Sequence, residues 1–294
     1  MKRFFIKLIM HGIAQLHWRG IQTLGDWLGW LLMNTKNRQR RDALINIQLC
    51  RPDLTPVQQR ELRRNSIIHF ARTYIEFCAM WLWPVQKVLD LVVKESGTHQ
   101  LDRGYRQGLI VLIPHLGDWE IVGLYMAARG PVTSMYRPQK HIDELILQSR
   151  QRNGARLVPD DLRGVKQLLQ ACHQGETVCI LPDQVTREDT GSVYAPFFGV
   201  PAVTMLLASG LIRRSGAKVV FMFAERLPRS DGFHLHCLPA PKGLDSSDSV
   251  TAAKALNQGV EECIAICPEQ YHWTYRRFRR LPDGGPSPYR GRSI

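Results

Sequence analysis

The segment Leu109-Ile-Val-Leu-Ile-Pro-His-Leu-Gly-Asp-Trp-Glu120 decides the fold of this 294-residue chain. Its first five residues form a short, continuous apolar run that ends at a proline, which is the pattern of a buried strand. Gly117 permits a tight turn, and Asp118 is a good N-cap for a helix over residues 118–129. The segment therefore predicts a strand, a turn and a helix in succession, which is the repeating unit of an α/β fold.

Strand-like and helical patterns alternate through the rest of the chain. Further strands are predicted at residues 132–135, 177–181, 218–224 and 233–238. Further helices are predicted at residues 57–83, 140–152, 161–173, 201–214 and 250–266. We therefore expect one α/β domain with a mostly parallel central sheet flanked by helices, preceded by a helical amino-terminal segment.

The formal net charge of +13 lies in the two ends of the chain. Residues 1–64 carry 12 basic and 4 acidic side chains, residues 271–294 carry 6 and 1, and the middle carries 21 of each. A protein that wraps nucleic acid would more often spread its charge over one face, so no nucleic-acid partner is expected. A basic nucleic-acid-binding protein, with steeply salt-dependent binding, stays an alternative of another class. Basic ends around a neutral body indicate docking on an anionic surface such as a membrane, an acidic partner or RNA.

The amino terminus is amphipathic. Its first apolar run is broken at Lys7 and no small-residue cleavage site follows, so export is not expected. No stretch of about 20 apolar residues is free of charges, as a spanning helix requires. The side chains with helical spacing on one apolar face are Leu24, Trp27, Leu28 and Leu31, and the basic cluster that follows is Lys36, Arg38, Arg40 and Arg41. This pattern favours a helix at the membrane interface over an ordinary surface helix packed on the body.

The cysteines and the paired histidines do not indicate a disulfide or metal framework. The seven cysteines are odd in number and irregularly spaced, which fits a reducing compartment. Cys263 and Cys267 lie one helical turn apart without a second pair, and we interpret them as core residues. His234 and His236 share one side of a predicted strand without an acidic or cysteine ligand at matching spacing, which favours a structural role. No nucleotide-binding motif is present, and no metal or organic cofactor is indicated.

His115 and Glu120 are the candidate catalytic pair. Five residues apart, they would lie on different faces of a continuous helix, but they can meet if His115 is on the turn and Glu120 is in the first helical turn. A histidine held by a carboxylate can act as a general base. The spacing alone is weak evidence, because a histidine that merely caps a turn would give the same pattern. A metallohydrolase is a further alternative, but the second histidine of a zinc helix is missing.

The sequence around His115 and Glu120 strengthens their interpretation as a catalytic pair. His115-Leu-Gly-Asp-Trp-Glu120 after an apolar strand resembles the motif of the lysophospholipid acyltransferase superfamily. The fuller resemblance is to the late (secondary) lipid A biosynthesis acyltransferases of the lauroyl/myristoyl type, over essentially the whole chain. The other matching segments, in order, are Met135-Tyr-Arg-Pro138, Arg150-Gln-Arg-Asn-Gly154, Leu181-Pro-Asp-Gln184, 196–204 and 268–273. Asp118 departs from the asparagine that many members carry, which adds a charge beside the catalytic pair.

The resemblance implies transfer of a fatty acyl chain from acyl carrier protein to a hydroxyl of a 3-hydroxyacyl chain on a lipid A precursor, without a cofactor. His115 would be the general base and Glu120 would orient it and stabilise its charge. Backbone N–H groups at the start of the 118–129 helix could help bind the oxyanion. The side chains assigned to substrate or oxyanion binding are Arg152, Arg137, Asp183, Tyr136 and Gln184, with Asp183 expected to hold one of the two arginines. Phe197 and Phe198 would line the acyl channel, although a core aromatic pair explains them equally well.

The resemblance also implies an enzyme of the bacterial inner membrane whose catalytic domain lies on the cytoplasmic face. The predicted organisation is a membrane-associating helical segment 1–40, an acyltransferase domain 41–281 (helical lead-in 41–95, α/β body 96–281) and a flexible tail 282–294. The carboxy-terminal side chains expected to meet lipid phosphates or acyl carrier protein are Arg276, Arg277, Arg279 and Arg280. A member of the same superfamily acting on a glycerolipid, an aminolipid or a glycosylated lipid is the nearest alternative. Chain length, the acylated hydroxyl and oligomeric state stay open.

Overall fold

A computed structural model describes residues 2–103, 108–139, 142–185 and 191–290. Its helices are α1 (Lys2–Ala14), α2 (Trp18–Asn34), α3 (Arg38–Cys50), α4 (Pro56–Leu82), α5 (Val85–Leu89), α6 (Trp119–Arg129), α7 (Asp143–Gln151), α8 (Leu162–His173), α9 (Leu207–Ser215) and α10 (Ser249–Ile266). Its strands are β1 (Val92–Ser96), β2 (Leu109–Leu112), β3 (Val132–Tyr136), β4 (Arg156–Pro159), β5 (Thr177–Ile180), β6 (Ser192–Phe197), β7 (Val200–Met205), β8 (Lys218–Arg226) and β9 (Phe233–Pro239).

Seven strands form one sheet in the order β1-β9-β8-β2-β5-β3-β4. Every neighbouring pair is parallel except β8 and β9, which are antiparallel. Strand β2 lies between β5 and β8 and is fully buried, as its continuous apolar run predicts. Helices pack on the sheet, so the expectation of a mostly parallel α/β fold is confirmed. The carboxyl ends of β2 and β5 lie side by side, and the loops that follow them meet there.

One predicted helix is partly wrong. Residues 201–205 belong to strand β7, which pairs antiparallel with β6, and α9 begins only at Leu207. The turn of this hairpin places Phe198 and Gly199 at positive φ, so the chain reverses before a helix can start. The helical prediction failed because the β-branched residues of this stretch satisfy their backbone groups with a partner strand, which a local pattern does not reveal.

The amino-terminal helices pack on the body through α4. Gly25 and Gly29 of α2 face α4 so closely that a Cβ on either would lie 2.8 Å from a backbone Cα, of Arg72 and Ile68 respectively. Within the described residues, none of the helices has the length and apolar character needed to cross a membrane. The large apolar side chains that are exposed in α1, α2 and their connection are Phe4, Phe5, Leu8, Ile9, Leu16, Trp27, Trp30 and Leu31.

The carboxy-terminal tail is anchored at one point. Tyr289 is buried, and its hydroxyl bonds the side chain of Asn46 in α3 and accepts the backbone N–H of Phe278. Tyr289 belongs to the tail predicted over residues 282–294, and its aromatic side chain packs between α3 and the body. Residues 291–294 of that prediction lie outside the described part of the chain.

Candidate active site

His115 and Asp183 meet where β2 and β5 end. The two strands are in register, with Leu112 beside Ile180, so the third residue after each strand reaches the same place. The backbone N–H of His115 donates to Asp183 Oδ2 at 3.0 Å, and His115 Nδ1 lies 2.7 Å from Asp183 Oδ1. Both side chains are buried. The Asp183 carboxylate thus binds both the backbone N–H and the ring of His115.

The ionisation of Asp183 fixes the tautomer of His115. Burial pushes the pKa of Asp183 up, but the positive charge and hydrogen bonds of His115 outweigh burial, and the pKa is lowered. A carboxylate can only accept, so His115 Nδ1 carries the proton and Nε2 is left as an acceptor. The side-chain amide of Gln184 donates to that Nε2 at 2.9 Å. Nε2 is therefore the atom of His115 that can take up a proton.

Glu120 does not have the partner that the sequence predicts. Its carboxylate forms a two-pronged ion pair with Arg150 of α7, with Arg150 Nε 3.1 Å from Oε2 and Nη2 bonded to Oε1. Burial raises the pKa of Glu120, but the charge of Arg150 prevails and the pKa is lowered. The charge of His115 acts on Glu120 only as a weaker, through-space contribution. Asp183, and not Glu120, is therefore the carboxylate in contact with His115, because β5 lies beside β2 whereas Glu120, at the start of α6, pairs with Arg150 of α7.

The other predicted arginines are engaged elsewhere. Arg152 donates to the backbone carbonyls of Met80, Trp81 and Trp83, where α4 ends and leaves its last carbonyls without helical partners. Arg137 pairs with Asp160 near the surface.

Tyr136 donates its hydroxyl to Asp143. Its ring lies under the Arg150 guanidinium, 5.7 Å from ring centroid to Cζ. Asp183, expected to hold Arg152 or Arg137, instead holds His115.

Two aromatic side chains cover His115. The Trp119 ring meets the His115 ring edge-on with centroids 4.8 Å apart, and His272 stacks on Trp119. The backbone N–H of His272 donates to His115 O at 3.0 Å, which joins the carboxy-terminal segment to the site. Burial and the nearby His115 charge lower the pKa of His272 to about 3, so its ring is neutral at physiological pH.

The turn after His115 is fixed by backbone contacts. Gly117 has φ +62, and a Cβ there would lie 1.9 Å from the carbonyl oxygen of Ala224 in β8. The carbonyl of Gly117 accepts from Thr73 of α4 at 3.3 Å. Only glycine fits this position, because both the left-handed φ and the close approach exclude a side chain.

Asp118 caps α6 as predicted, and its carboxyl group is buried. Its Oδ1 accepts the Glu120 N–H at 3.0 Å, while Oδ2 is buried without a hydrogen-bond partner among the described residues. Burial, followed by repulsion from Glu76, holds the pKa of Asp118 well above its ordinary 3.8. The raised pKa favours the protonated, neutral form of Asp118, which resembles in charge and shape the asparagine expected at this position.

We expect Asp118→Asn to stabilise the protein at neutral pH. Deprotonating Asp118 is easier in the unfolded chain, so the wild type loses stability as pH rises above about 4 and until pH passes the raised folded pKa. The loss is about 1.4 kcal/mol for each unit by which the pKa is raised. Urea unfolding at pH 4 and pH 8 measures the difference in free energy of unfolding between Asp118→Asn and the wild type. This difference should be small at pH 4 and large, in favour of the variant, at pH 8. An equal difference at both values would contradict a protonated Asp118.

Two open spaces flank His115. A narrow apolar pocket of about 50 Å³ lies on the Trp119 side and has Glu120 and Arg150 among its lining residues. Its apolar walls are Ile113, Leu124, Val132, Met135, Leu157, Cys179 and Leu181. A groove of about 760 Å³ lies on the other side and reaches Gln184 and His272. His115 lines neither space itself: its neighbour Trp119 borders the apolar pocket, and Gln184 and His272, which contact His115, border the larger groove of mixed lining.

Phe197 and Phe198 lie apart from this pocket. Phe197 is 1% exposed and packs in the core, and the backbone N–H of Phe198 donates to Glu261 at 2.7 Å. Neither lines the apolar pocket beside Glu120. The core explanation of the pair therefore fits the structure better than an acyl-channel role.

The described residues contain one group with metal-binding geometry. Glu225 of β8 and His234 and His236 of β9 place one ligand atom each within 4.8 Å of one another. The sequence showed no acidic partner for the two histidines, because Glu225 arrives from the neighbouring strand. Glu225 bonds His236 at 2.8 Å, and Ser96 bonds His234 at 2.7 Å. These hydrogen bonds give each histidine a protein partner, while the acidic ligand whose absence from the local sequence favoured a structural role is supplied by Glu225.

Two members of the site were missed by the sequence interpretation. Arg150 stands in the matched segment Arg150-Gln-Arg-Asn-Gly154, but Arg152 was chosen as the functional arginine. His272 stands in the matched segment 268–273 and received no role. The helical spacing gave a usable signal for Arg150: with Leu145, Ile146 and Ser149 buried, Arg150 lies on the inward side of α7.

Comparison with known proteins identifies relatives along nearly the whole chain. The family model for bacterial lipid A biosynthesis acyltransferases matches residues 2–280. The lipid A biosynthesis lauroyltransferase of Escherichia coli (strain K12) is 29% identical over 281 residues, which cover 94% of this chain and 91% of the relative. The palmitoleoyltransferase of the same organism is 29% identical over 287 residues, covering 94% and 90%. Its myristoyltransferase is 25% identical over 260 residues, covering 87% and 80%.

Proposed function

Because the chain belongs to the bacterial lipid A biosynthesis acyltransferase family, we propose that it transfers a fatty acyl chain from acyl carrier protein to a hydroxyl of a 3-hydroxyacyl chain on a lipid A precursor. The observation that carries this proposal is the position of His115, held by Asp183 between an apolar pocket and a groove. A base whose neighbours border an apolar pocket on one side and a groove of mixed lining on the other suits a reaction that joins an acyl chain to an amphiphilic acceptor.

The reaction needs one proton acceptor and one oxyanion site. The acceptor hydroxyl replaces Gln184 at His115 Nε2 and gives up its proton as its oxygen attacks the thioester carbonyl. Asp183 stabilises the imidazolium that forms. The tetrahedral intermediate then collapses, the carbon–sulfur bond breaks, and His115 returns the proton to the leaving thiolate.

Arg150 is the best-placed charge for the oxyanion. It lines the apolar pocket and is held in place by Glu120, so a thioester carbonyl at the mouth of that pocket lies beside a fixed guanidinium. Glu120 then acts by positioning Arg150 and not by touching His115. In this arrangement Asp183 pairs with His115 and orients it, and Glu120 pairs with Arg150 and orients it.

The apolar pocket suits the carbonyl end of the acyl chain. Its volume of about 50 Å³ holds the first few methylene groups, so a full fatty chain requires its apolar side chains to move apart. Met135 borders the pocket, and its flexible side chain is suited to such movement. The groove on the other side, which Gln184 lines, suits the acceptor.

The amino-terminal helices suit docking on the cytoplasmic face of the bacterial inner membrane. Trp27 and Trp30 of α2 are 58% and 59% exposed, and Phe4, Phe5 and Ile9 of α1 are similarly open to solvent. Exposed aromatic side chains beside basic residues bind the interface of an anionic membrane. Acyl carrier protein is acidic, and the exposed Arg279 of the carboxy-terminal segment supplies a complementary charge. Arg277, which the sequence also predicted to meet lipid phosphates or this partner, is buried and donates to the backbone carbonyl of Val203.

Membrane docking predicts that Trp27→Ala and Trp30→Ala weaken binding to anionic lipid vesicles. Each tryptophan should cost about tenfold in the partition coefficient, because burying one large apolar side chain is worth about 1.5 kcal/mol or more. Vesicle co-sedimentation measures the loss. Leu162→Ala, which removes an 80% exposed leucine from α8, is the control and should bind like the wild type. If Trp27→Ala and Trp30→Ala bind the vesicles as strongly as Leu162→Ala and the wild type, docking through α2 is ruled out.

The experiment that tests the function is mass spectrometry of lipid A from cells with and without the gene. Loss of one acyl chain in the mutant, restored by the wild-type gene and not by His115→Ala, is the expected result. Unchanged lipid A would overturn the proposal. An altered glycerolipid or aminolipid in the same cells would then identify the acceptor as a different membrane lipid.

A further inference from the structure

Two histidines and one glutamate lie together where β8 pairs with β9. Glu225 of β8 is directly opposite His234 in the antiparallel register, and His236 is two residues further along β9. Because side chains alternate between the two faces of a sheet, all three project from the same face. One ligand atom of each lies within 4.8 Å of the other two. The register therefore assembles three metal-ligand side chains, which the chemistry proposed for His115 does not use.

The three ligand atoms have the spacing of a metal site. Glu225 Oε2 lies 3.6 Å from His234 Nδ1 and 2.8 Å from His236 Nε2. Two ligands of a tetrahedral Zn²⁺ ion with bonds of about 2.1 Å are about 3.4 Å apart. A small outward shift of the Glu225 carboxylate therefore makes room for an ion between the three atoms.

Ser96 of β1 orients the ring of His234. Its hydroxyl lies 2.7 Å from Nε2, whereas Nδ1 faces the Glu225 carboxylate at a distance too long for a hydrogen bond. When the hydroxyl accepts the Nε2 proton, the lone pair of Nδ1 faces a carboxylate oxygen, so that two acceptors oppose each other. A cation between them removes this repulsion. Histidines that bind metal ions commonly donate their other ring N–H to an oxygen in this way.

The cluster is sheltered on the side of its histidines and open on the side of its carboxylate. His234 and His236 are 7% and 9% exposed, and the ring of His236 stacks on Phe223 with an angle of 9° between the ring planes. The side chain of Glu225 is 25% exposed, which gives an ion and a water molecule access. Lys94 pairs with His234 across β1, and its charge opposes metal binding, but it is exposed and its ammonium group can extend into solvent.

We propose that Glu225, His234 and His236 bind one divalent transition-metal ion, with Zn²⁺ as the expected occupant and water as the fourth ligand. Two imidazole nitrogens and one carboxylate oxygen suit Zn²⁺, whereas Mg²⁺ and Ca²⁺ prefer sites built from oxygen ligands. The ion joins β8 to β9 by bonds between side chains, in addition to the backbone hydrogen bonds of the pair.

The bound ion stabilises the strand that supports the turn after His115. Ala224, which precedes Glu225 in β8, accepts the backbone N–H of Asp118 at 3.0 Å. Its carbonyl oxygen is also the atom that a Cβ on Gly117 would approach to 1.9 Å. A metal crosslink at Glu225 therefore holds the end of β8 in place beneath this turn. Its role is structural, and no step of acyl transfer passes through it.

Metal titration of the purified full chain, first freed of metal by a chelator, tests the site. The wild type should bind one more equivalent of Co²⁺ than Glu225→Gln/His236→Gln, with the visible absorption of a nitrogen- and oxygen-ligated ion, and Zn²⁺ should displace it. The double variant should bind Zn²⁺ at least about 100-fold more weakly. His173→Gln, which changes an exposed histidine of α8, should bind like the wild type. His115→Ala should also bind like the wild type, which separates this site from the proposed active site.

Thermal unfolding gives a second measurement. Zn²⁺ at about 100 times its Kd should raise the Tm of the wild type by roughly 5 °C or more, and Mg²⁺ at the same concentration should not. The double variant should not respond to Zn²⁺, although its Tm without metal should stay close to that of the metal-free wild type. Ser96→Ala keeps all three ligands and should weaken Zn²⁺ binding by about 10–100-fold, which decides the matter if the double variant is too unstable to purify. A wild type without a Zn²⁺-dependent rise in Tm, or a double variant with the wild-type affinity, would overturn the site.

Discussion

Asp183→Asn should lower kcat by about 10²–10⁴-fold and leave KM and the fold nearly unchanged. The backbone N–H of His115 donates to Asp183 Oδ2, so the single oxygen of asparagine has to stay at that position. Its NH₂ group then faces His115 Nδ1, which must become the acceptor. The proton moves to Nε2, and His115 can no longer take a proton from the acceptor hydroxyl. His115→Ala should have an effect of similar size.

The assay is steady-state acyl transfer by purified protein, with thermal unfolding as the check on the fold. Asp160→Asn is the matched control, because Asp160 pairs with Arg137 near the surface and should leave kcat unchanged. Glu120→Gln, which weakens the hold on Arg150, should lower kcat without changing which nitrogen of His115 is protonated. Full activity of Asp183→Asn would contradict the assignment of Asp183 as the group that positions His115.

Arg226→Met should lower the free energy of unfolding by about 3–5 kcal/mol. Arg226 of β8 is buried, bonds both oxygens of the fully buried Glu76 in α4, and also contacts Thr73 and His69. Removing the guanidinium leaves the Glu76 carboxylate in the interior without its counter-ion. The loss should appear as a fall of roughly 10 °C in Tm.

The double variant Glu76→Gln/Arg226→Met should recover most of this stability, because it removes the uncompensated charge together with its partner. Arg163→Met is the control: its side chain is 83% exposed and pairs with Asp161, so its removal should cost no more than about 1 kcal/mol. A single Arg226→Met variant as stable as the wild type would mean that the pair contributes no net stability. Denaturant titration of the four proteins distinguishes these outcomes.

Elements whose sequence signal comes from residues next to each other in the chain were predicted well. The apolar run before Pro114 is strand β2, and the cap at Asp118 starts α6 at Trp119, because burial and capping depend on residues next to each other in the chain. Strands with weaker patterns were missed: β1 and β4 lie at the two edges of the sheet and are half exposed. The hairpin of β6 and β7 was missed because its pairing, not its local pattern, stabilises it.

By itself the sequence determined the alternating α/β pattern and the family resemblance, and it singled out His115 as the candidate base. Only the tertiary structure decided which acid serves that histidine. Asp183 is 68 residues away from His115 along the chain and 2.7 Å from it in space, whereas Glu120, five residues away, pairs with Arg150. The reason is that strand order sets which loops meet at the edge of a sheet. Strand order follows from the packing of the whole domain, and no local spacing encodes it.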